Sequence, residues 1–465
     1  MIDTLPFFTP EHRRLAKDVD EFVKRDIEPH ASDEQNIDEL ARHFVEVLAK
    51  AGLLGCSVPL QTKIDIRTVC LIREKLAYSS SLADLAFVMQ GLGTYAINQA
   101  AHEHIREFWL ARASGGRAIA AFALTEPEAG SDVAAIQTTA QADGDAYVIN
   151  GRKRFISNAG IADFYTVFAR TGTREGGRAA LSAFVVGAKV SGVTVVERTD
   201  LMSPHPIGEI EFKNCRVPIE DMIGNEGDGF GLAMETLDVF RPSVGAAACG
   251  MARRALDEAI RYASSRKQFG RLIAEHQLVQ EKLADMVTEL DAAQLLVYRA
   301  AYLKDKGSPR VTREASEAKL FATEAAGRII DSAVQIHGGK DDDTPEIPTA
   351  AENNIYRSRV DIRGLDRASN APRCLDLLRR HLRLFLGLRI GLDSRSHPRI
   401  AGCRGDDLFM AVGSGSGSIC DLPSFWRSSG AIDLHHRISW HHRNRNDLVV
   451  ACSEEQVLKL GRRQR

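Results

Sequence analysis

Phe122-Ala-Leu-Thr-Glu-Pro-Glu-Ala-Gly-Ser-Asp132 marks the point at which the chain changes its period. Before it, apolar residues recur at helical spacing. From about Ala118 they alternate and turn-forming residues multiply, which signals a β domain. A strand ending in Thr125 and a Gly130-Ser131 turn would place hydroxyl and backbone donors side by side. Taken alone, the segment is a polar turn leaving a strand, so its meaning depends on the chain around it.

Upstream, residues 1–117 read as a helical domain. Thr9 is an N-cap with Pro10 in the first helical position, and Leu15, Val19, Phe22, Val23 and Ile27 share one face. Further helical segments are expected around Phe44 to Leu54 and Val69 to Leu92. Downstream, residues 118–226 read as a small sheet or barrel ending near Val217-Pro218. Its best-defined hairpin is Tyr147-Val148-Ile149, a type I′ turn at Asn150-Gly151, and a return strand from Arg154 to Ser157. More strands are expected at Phe164 to Ala169, Ala183 to Val186, Val193 to Val196 and Glu209 to Phe212.

After the glycine-rich stretch Gly224 to Gly231, residues 227–390 read as a C-terminal four-helix bundle. Val279, Leu283, Met286, Leu290, Ala293 and Val297 form an apolar seam suited to a bundle or to a partner subunit, and an alanine-rich helix spans about Val311 to Ile336. The fold class is therefore α+β, mostly α, in the order helices, sheet, helices. Residues 391–465, with a GSGSGS run, two His-His pairs and no sustained period, read as a poorly ordered tail.

Composition narrows the partners. The chain has 465 residues, 44% hydrophobic and 26% charged, with a net charge of −2, so neither nucleic acid nor an anionic membrane surface is expected as the main partner. No stretch approaches the ~20 apolar residues of a membrane span, and the start lacks the pattern of a secretory signal; a cytoplasmic location is expected. Eight scattered cysteines contain no CxxC pair, which suits reduced thiols. No metal is expected at them, nor at His435-His436 and His441-His442.

Four motifs then stand in register. Phe122 to Asp132 closely resembles the flavin-binding signature of the acyl-CoA dehydrogenase family. Lys153-Arg-Phe-Ile-Ser-Asn158 resembles the family segment whose aromatic or apolar residue and hydroxyl residue lie against the flavin; Phe155 and Ser157 share one side of a strand by alternation. Tyr262-Ala-Ser-Ser-Arg-Lys-Gln-Phe-Gly-Arg271 with Glu275-His276-Gln277 resembles the segment by which one subunit reaches its neighbour's FAD. Gln335-Ile-His-Gly-Gly339 resembles the family's Q-x-x-G-G motif, and two glycines at a helix end allow close backbone approach to an anionic or ribose group. The resemblance covers roughly residues 5 to 340.

It implies FAD as cofactor, held by Phe122, Leu124, Thr125, Gly130, Ser131, Phe155, Ser157, Arg266, Gln268, Phe269, Gln277, Gln335, Gly338 and Gly339. It implies an acyl-CoA substrate bordered by Ser131, Asp238 and Arg241. An electron-transfer flavoprotein would take the electrons, in fatty-acid β-oxidation, and the assembly would be a homodimer or homotetramer. Related oxidases and flavin monooxygenases share the fold, with another acceptor or chemistry.

Dehydrogenation beside a thioester also needs a base for the α proton. The family's usual glutamate follows a Y-R-D-x-R segment; here Tyr356-Arg357-Ser358 only partly matches, and the residue at the family's offset is Asp366. The family's alternative position, before the arginine matching Arg241, holds Phe240. Asp366 is thus the candidate base, and a flavin-binding remnant without a working base is the competing reading. A departure from the ancestral reading frame shortly after Gly339 would account for both the altered motif and the tail; other frames of the gene should then restore the family pattern.

Overall fold

The structure, a computed structural model, describes residues 5–338 except 32–35, 59, 61–62, 174–178, 202 and 309, together with the strand segments 407–412, 439–442 and 448–453. It divides into two compact units, Met1–Asp361 and Ile362–Arg465.

In the first unit, helices α1 (Pro10–Phe22), α2 (Ile37–Lys50), α3 (Leu54–Ser57), α4 (Ile66–Ser79), α5 (Ser81–Ala100) and α6 (Glu103–Ser114) precede the sheet. Local chemistry sets their ends. Thr9 caps α1 with Pro10 at its first position, and Asn36, Asp65 and Ser80 each accept a backbone N–H from the first turn of α2, α4 and α5. The apolar pattern from Val69 to Leu92 runs unbroken, but extended Ser80 splits it into α4 and α5.

Strands β1 (Ala120–Ala123), β2 (Thr139–Asp143), β3 (Ala146–Ser157), β4 (Phe164–Thr173), β5 (Ala179–Gly187), β6 (Val193–Arg198), β7 (Ile207–Pro218) and β8 (Met222–Ile223) follow. The sheet order is β6-β7-β3-β2-β4-β5-β8, with β1 parallel to β4. The expected hairpin turn at Asn150-Gly151 is not one. Both residues lie inside β3, which pairs with β7 from Ala146 to Ser157, and the register shifts between Ile149 and Gly151. The reason is steric and long-range: Gly151 has φ 151°, and a Cβ there would stand 2.6 Å from Thr138 Cα, so the glycine serves a bulge inside a paired strand. The actual β2–β3 turn is at Gly144, φ +65°.

Three long helices return: α7 (Gly229–Ser265), α8 (Gln277–Asp305) and α9 (Thr312–His337), with a two-stranded ribbon, β9 (Lys267–Gln268) and β10 (Arg271–Leu272), between the first two. Met286, Leu290, Ala293 and Val297 of the expected seam are buried. The rest of the expected four-helix bundle, residues 339–390, falls outside the described residues. In the second unit, β11 (Asp407–Val412), β12 (Ser439–His442) and β13 (Leu448–Ser453) form an antiparallel sheet of order β11-β13-β12. The mostly apolar runs of β11 and β13 carry no period-two signal. Among the described residues, no helix is long and apolar enough to cross a membrane.

Buried polar groups fasten the layers that frame the site. Gln90 on α5 donates to the carbonyls of Ala113 and Ala118 and accepts from Ala120 N–H, tying α5 to the start of β1. Arg73 on α4 grips Asp84 of α5 through two 2.7 Å bonds and donates to Ser243 on α7. Where α7 crosses α4, a Cβ on Gly250 would run into the Glu74 carbonyl oxygen. Gly250→Ala is therefore expected to cost about 1–3 kcal/mol through forced separation of the two helices, read as a lower urea midpoint; an unchanged midpoint would show that this crossing is not tight.

Candidate functional site

A cavity of about 390 Å³ opens where α5, the loop leaving β1, the C-terminal end of β3 and α7 meet. Its apolar wall comes from Met89 and Leu92 on α5, Phe122 and Leu124, and Met234 and Leu237 on α7. Its polar groups are Thr125, Ser131, Ser157 and Arg241, with Gly130, Val133, Phe155 and Ile156 completing the lining. Eight positions singled out from sequence thus meet in one place: Phe122, Leu124, Thr125, Gly130, Ser131, Phe155, Ser157 and Arg241.

Phe155 and Ser157 both reach the cavity across an irregularity in β3: Phe155 has φ +55° and the β3–β7 register shifts between Lys153 and Ile156. Ile156 borders the cavity between them, but its side chain is buried in the core of the sheet. The residue just before this break is fully buried Lys153. Its Nζ donates to the Leu124 carbonyl at 3.1 Å and to Glu126 Oε1 at 2.8 Å. Glu126 in turn accepts the N–H groups of Gln137 and Thr138, at 2.5 and 3.0 Å, and Arg154 N–H donates to the Thr125 carbonyl. One ion pair therefore locks the loop carrying Thr125 to Ser131 onto the strand carrying Phe155 and Ser157. Burial lowers Lys153 to about 8, opposed by Glu126; burial also raises Glu126, but the Lys153 charge and the amide donors outweigh it and leave its carboxyl below the ordinary range.

Sequence reasoning missed this pair because each residue alone is an unremarked polar residue in a strand or turn. It also missed His205, which lies in no motif and whose Nε2 is 2.8 Å from Ser157 Oγ. Burial lowers His205 from 6.5 to about 4. Since an unfolded chain would take a proton near pH 6.5 that the folded chain resists until about pH 4, folding loses stability as pH falls through that window. The wild type is expected to lose more stability than His205→Phe between about pH 6.5 and 4, measured as urea midpoints; parallel curves would contradict it.

On the α7 side, Arg241 Nη1 donates to Asp238 Oδ1 at 2.6 Å, and Thr312 of α9 donates to Asp238 Oδ2 at 2.8 Å. Arg241 is thereby held on the cavity edge. Phe240 points the other way: it is buried and meets the Tyr95 ring edge-on, with centroids 6.1 Å apart. Among the described residues lining the cavity there is no carboxylate. Asp366 and Gly339 lie outside the described residues.

The remaining candidates are not part of this cavity. Arg266 closes α7, and Gln268 belongs to the ribbon, whose tip is Phe269-Gly270, both at positive φ, the geometry of a type I′ turn. Phe269 is 94% exposed, its ring edge toward His276. Gln277 begins α8, while Gln335 and Gly338 (φ +69°) stand at the end of α9. Tyr262 stacks on His337 at 4.8 Å, so the ends of α7 and α9 adjoin. A second, larger cavity of about 520 Å³ between α1, α4, α7 and α8 mixes cations such as Arg13, Lys75 and Arg253 with Asp20, Glu28 and Asp257, and contains none of the cofactor or substrate candidates named from sequence.

Comparisons with known proteins give the family of the chain. Residues 9–117, 121–215 and 227–345 match, respectively, the N-terminal, middle and C-terminal domains of acyl-CoA dehydrogenase. A 3-(aryl)acrylate reductase of Clostridium sporogenes is 40% identical over 340 residues, 72% of this chain and 89% of that protein. A glutaryl-coenzyme A dehydrogenase, solved with glutaryl-CoA, superposes with a TM-score of 0.69 at 32% identity, covering 75% of this chain and 90% of that one. An acyl-CoA dehydrogenase of Bacillus anthracis, solved with FAD, gives a TM-score of 0.66 at 29% identity, covering 76% and 64%. The chain belongs to the acyl-CoA dehydrogenase family and is an oxidoreductase acting on CH–CH groups.

Proposed function

We propose that the chain binds FAD with its flavin ring in the 390 Å³ cavity and uses it to dehydrogenate an acyl-CoA thioester between the α and β carbons. The carrying observation is the convergence of Thr125, Ser131, Phe155, Ser157 and Arg241 on one apolar-walled space. Its volume is in the range of small-molecule sites. A flat apolar ring with an acceptor-rich edge fits it: Phe122, Leu124 and Phe155 offer faces, the three hydroxyls and the loop amides offer donors, and no neighbour lies within 4 Å of where a Cβ on Gly130 would stand, so the backbone is open to approach.

When bound, the flavin supplies the acceptor for the β hydride. This chain's residues orient the partners: the Lys153–Glu126 pair keeps the two halves of the cradle together, while the Asp238–Arg241 pair presents a fixed guanidinium to the anionic CoA portion. Apolar Met89, Leu92 and Leu237 exclude water from the reacting carbons. Asp366 is proposed to take the α proton.

Arg266, Gln268, Phe269, Gln277, Gln335, Gly338 and Gly339 are proposed to serve the FAD of a neighbouring subunit in a homodimer or homotetramer. An exposed aromatic at the tip of a two-stranded ribbon supports that reading. An electron-transfer flavoprotein is proposed as the acceptor.

Anaerobic addition of acyl-CoA to the yellow full-length protein tests the assignment: bleaching at the flavin band is expected. Because one relative is named a reductase, and residues that align two carbons for loss of hydrogen also align them for gain, the assay is run in both directions. The lack of a carboxylate among the described cavity residues favours one second reading, a flavin-binding remnant; a protein that binds FAD yet never bleaches would establish it.

A further inference from the structure

We propose that His205 is a positioning residue for the flavin edge: it holds the Ser157 hydroxyl so that its hydrogen points into the cavity as a donor. This rests on the FAD reading above. Ser157 ends β3 and lines the cavity, and its Oγ lies 2.8 Å from His205 Nε2. A serine hydroxyl rotates freely and can donate or accept, so its neighbour decides which face it shows to a ligand.

The neighbour here is firmly placed. His205 stands between Pro204 and Pro206, whose rings fix their own φ. The Pro206 carbonyl accepts Asn158 N–H at 2.6 Å, the residue next to Ser157. Asn158 also donates from its side chain to the Ala120 carbonyl at 2.8 Å, at the start of β1. On the other side, the Ser203 and Ser81 hydroxyls lie 3.0 Å apart, joining the segment to α5. The imidazole is thus delivered to Ser157 from a stretch fastened to the strand and to a helix.

Burial keeps that imidazole neutral at pH 7, with a single N–H. With the hydrogen on Nε2, the ring donates to Oγ, occupies one serine lone pair and turns the hydroxyl hydrogen away, toward the cavity. A flavin rim made largely of acceptors is then met by a donor. The opposite tautomer would draw the serine hydrogen toward His205 and present a lone pair to another acceptor, which is repulsive. The ring position, with its hydrogen taken to be on Nε2, sets the polarity of one edge of the site.

The test uses the full chain reconstituted with FAD and four variants: Ser157→Ala, His205→Phe, His205→Gln and the double His205→Phe/Ser157→Ala. FAD dissociation constants and the absorption band and midpoint potential of the bound flavin are measured. Ser157→Ala and His205→Phe are each expected to weaken FAD about three- to tenfold, the worth of one hydrogen bond, and to move band and potential in the same direction. The double variant is expected to be no worse than Ser157→Ala, because the second residue acts through the first. Gln, with an amide N–H near the place of Nε2, is expected to restore wild-type behaviour. The proposal is overturned if His205→Phe matches wild type while Ser157→Ala does not, if the two effects multiply, or if Gln fails to restore. A wild-type chain that takes up no FAD overturns the flavin reading itself, seen before any variant is made, and this inference falls with it.

Discussion

Lys153→Met is expected to lower folding stability by about 3–5 kcal/mol, the scale of breaking a buried ion pair by removing one partner, and to release most of the bound flavin. The lysine is fully buried, and among the described residues its Nζ is the only cation paired with the Glu126 carboxylate, whose other described donors are the N–H groups of Gln137 and Thr138. The two polypeptide segments so joined carry Thr125, Ser131, Phe155 and Ser157, so the loss reaches the cavity directly. Glu126→Gln should be milder, since Lys153 already sits near 8 and can shed its proton.

The pH dependence has a definite sign. Lys153 titrates at about 8 in the fold against an ordinary 10.5, so between these values the unfolded chain holds a proton the folded chain has released, and this group's contribution to stability rises with pH. Glu126, held below its ordinary 4.5, contributes stability that disappears on acidification through its folded value. Wild type should therefore gain on Lys153→Met between about pH 8 and 10.5. Urea midpoints equal to wild type, with flavin retained, would show that the pair does not hold the loop.

Local signals in the sequence were reliable where the local chain decides the outcome. Thr9 and Pro10 start α1 because capping needs only neighbours. The order helices, sheet, helices follows from period alone. Asn150-Gly151 misled for the opposite reason: a strong turn dipeptide was overridden by pairing with β7, more than fifty residues away in sequence, and only the fold shows Thr138 pressing on Gly151. Ser80 ended a helix in the middle of an unbroken apolar pattern because its side chain caps the next one.

Half of the candidate site was legible in the same sense. The residues that meet in the cavity come from contiguous motifs whose spacing survives reading as text. His205 and the Lys153–Glu126 pair did not, since their roles exist only across long separations: 48 residues between His205 and Ser157, 27 between Lys153 and Glu126. Polar partners of this kind leave no periodicity, and their contribution depends on burial that a sequence does not display.

Asp366→Asn is expected to slow flavin reduction by acyl-CoA about 10²–10⁴-fold, the usual worth of a general base, while leaving FAD binding unchanged. No described residue lining the cavity carries a carboxylate, and Phe240 is buried against Tyr95, away from it, so α5, α7 and the β1 loop supply no base of their own. A base from outside the described cavity lining is therefore proposed, and Asp366 stands at the family's offset from Arg357. Aspartate has a similar reference pKa to glutamate, near 4, but an arm shorter by one methylene, and ~1 Å of misplacement costs on the order of a hundredfold in rate. Asp366→Glu is accordingly expected to bleach faster than wild type. Stopped-flow reduction of the three proteins separates the possibilities: equal rates in wild type and Asp366→Asn place the base at another residue, and a wild type that holds FAD but is never reduced leaves the remnant reading standing.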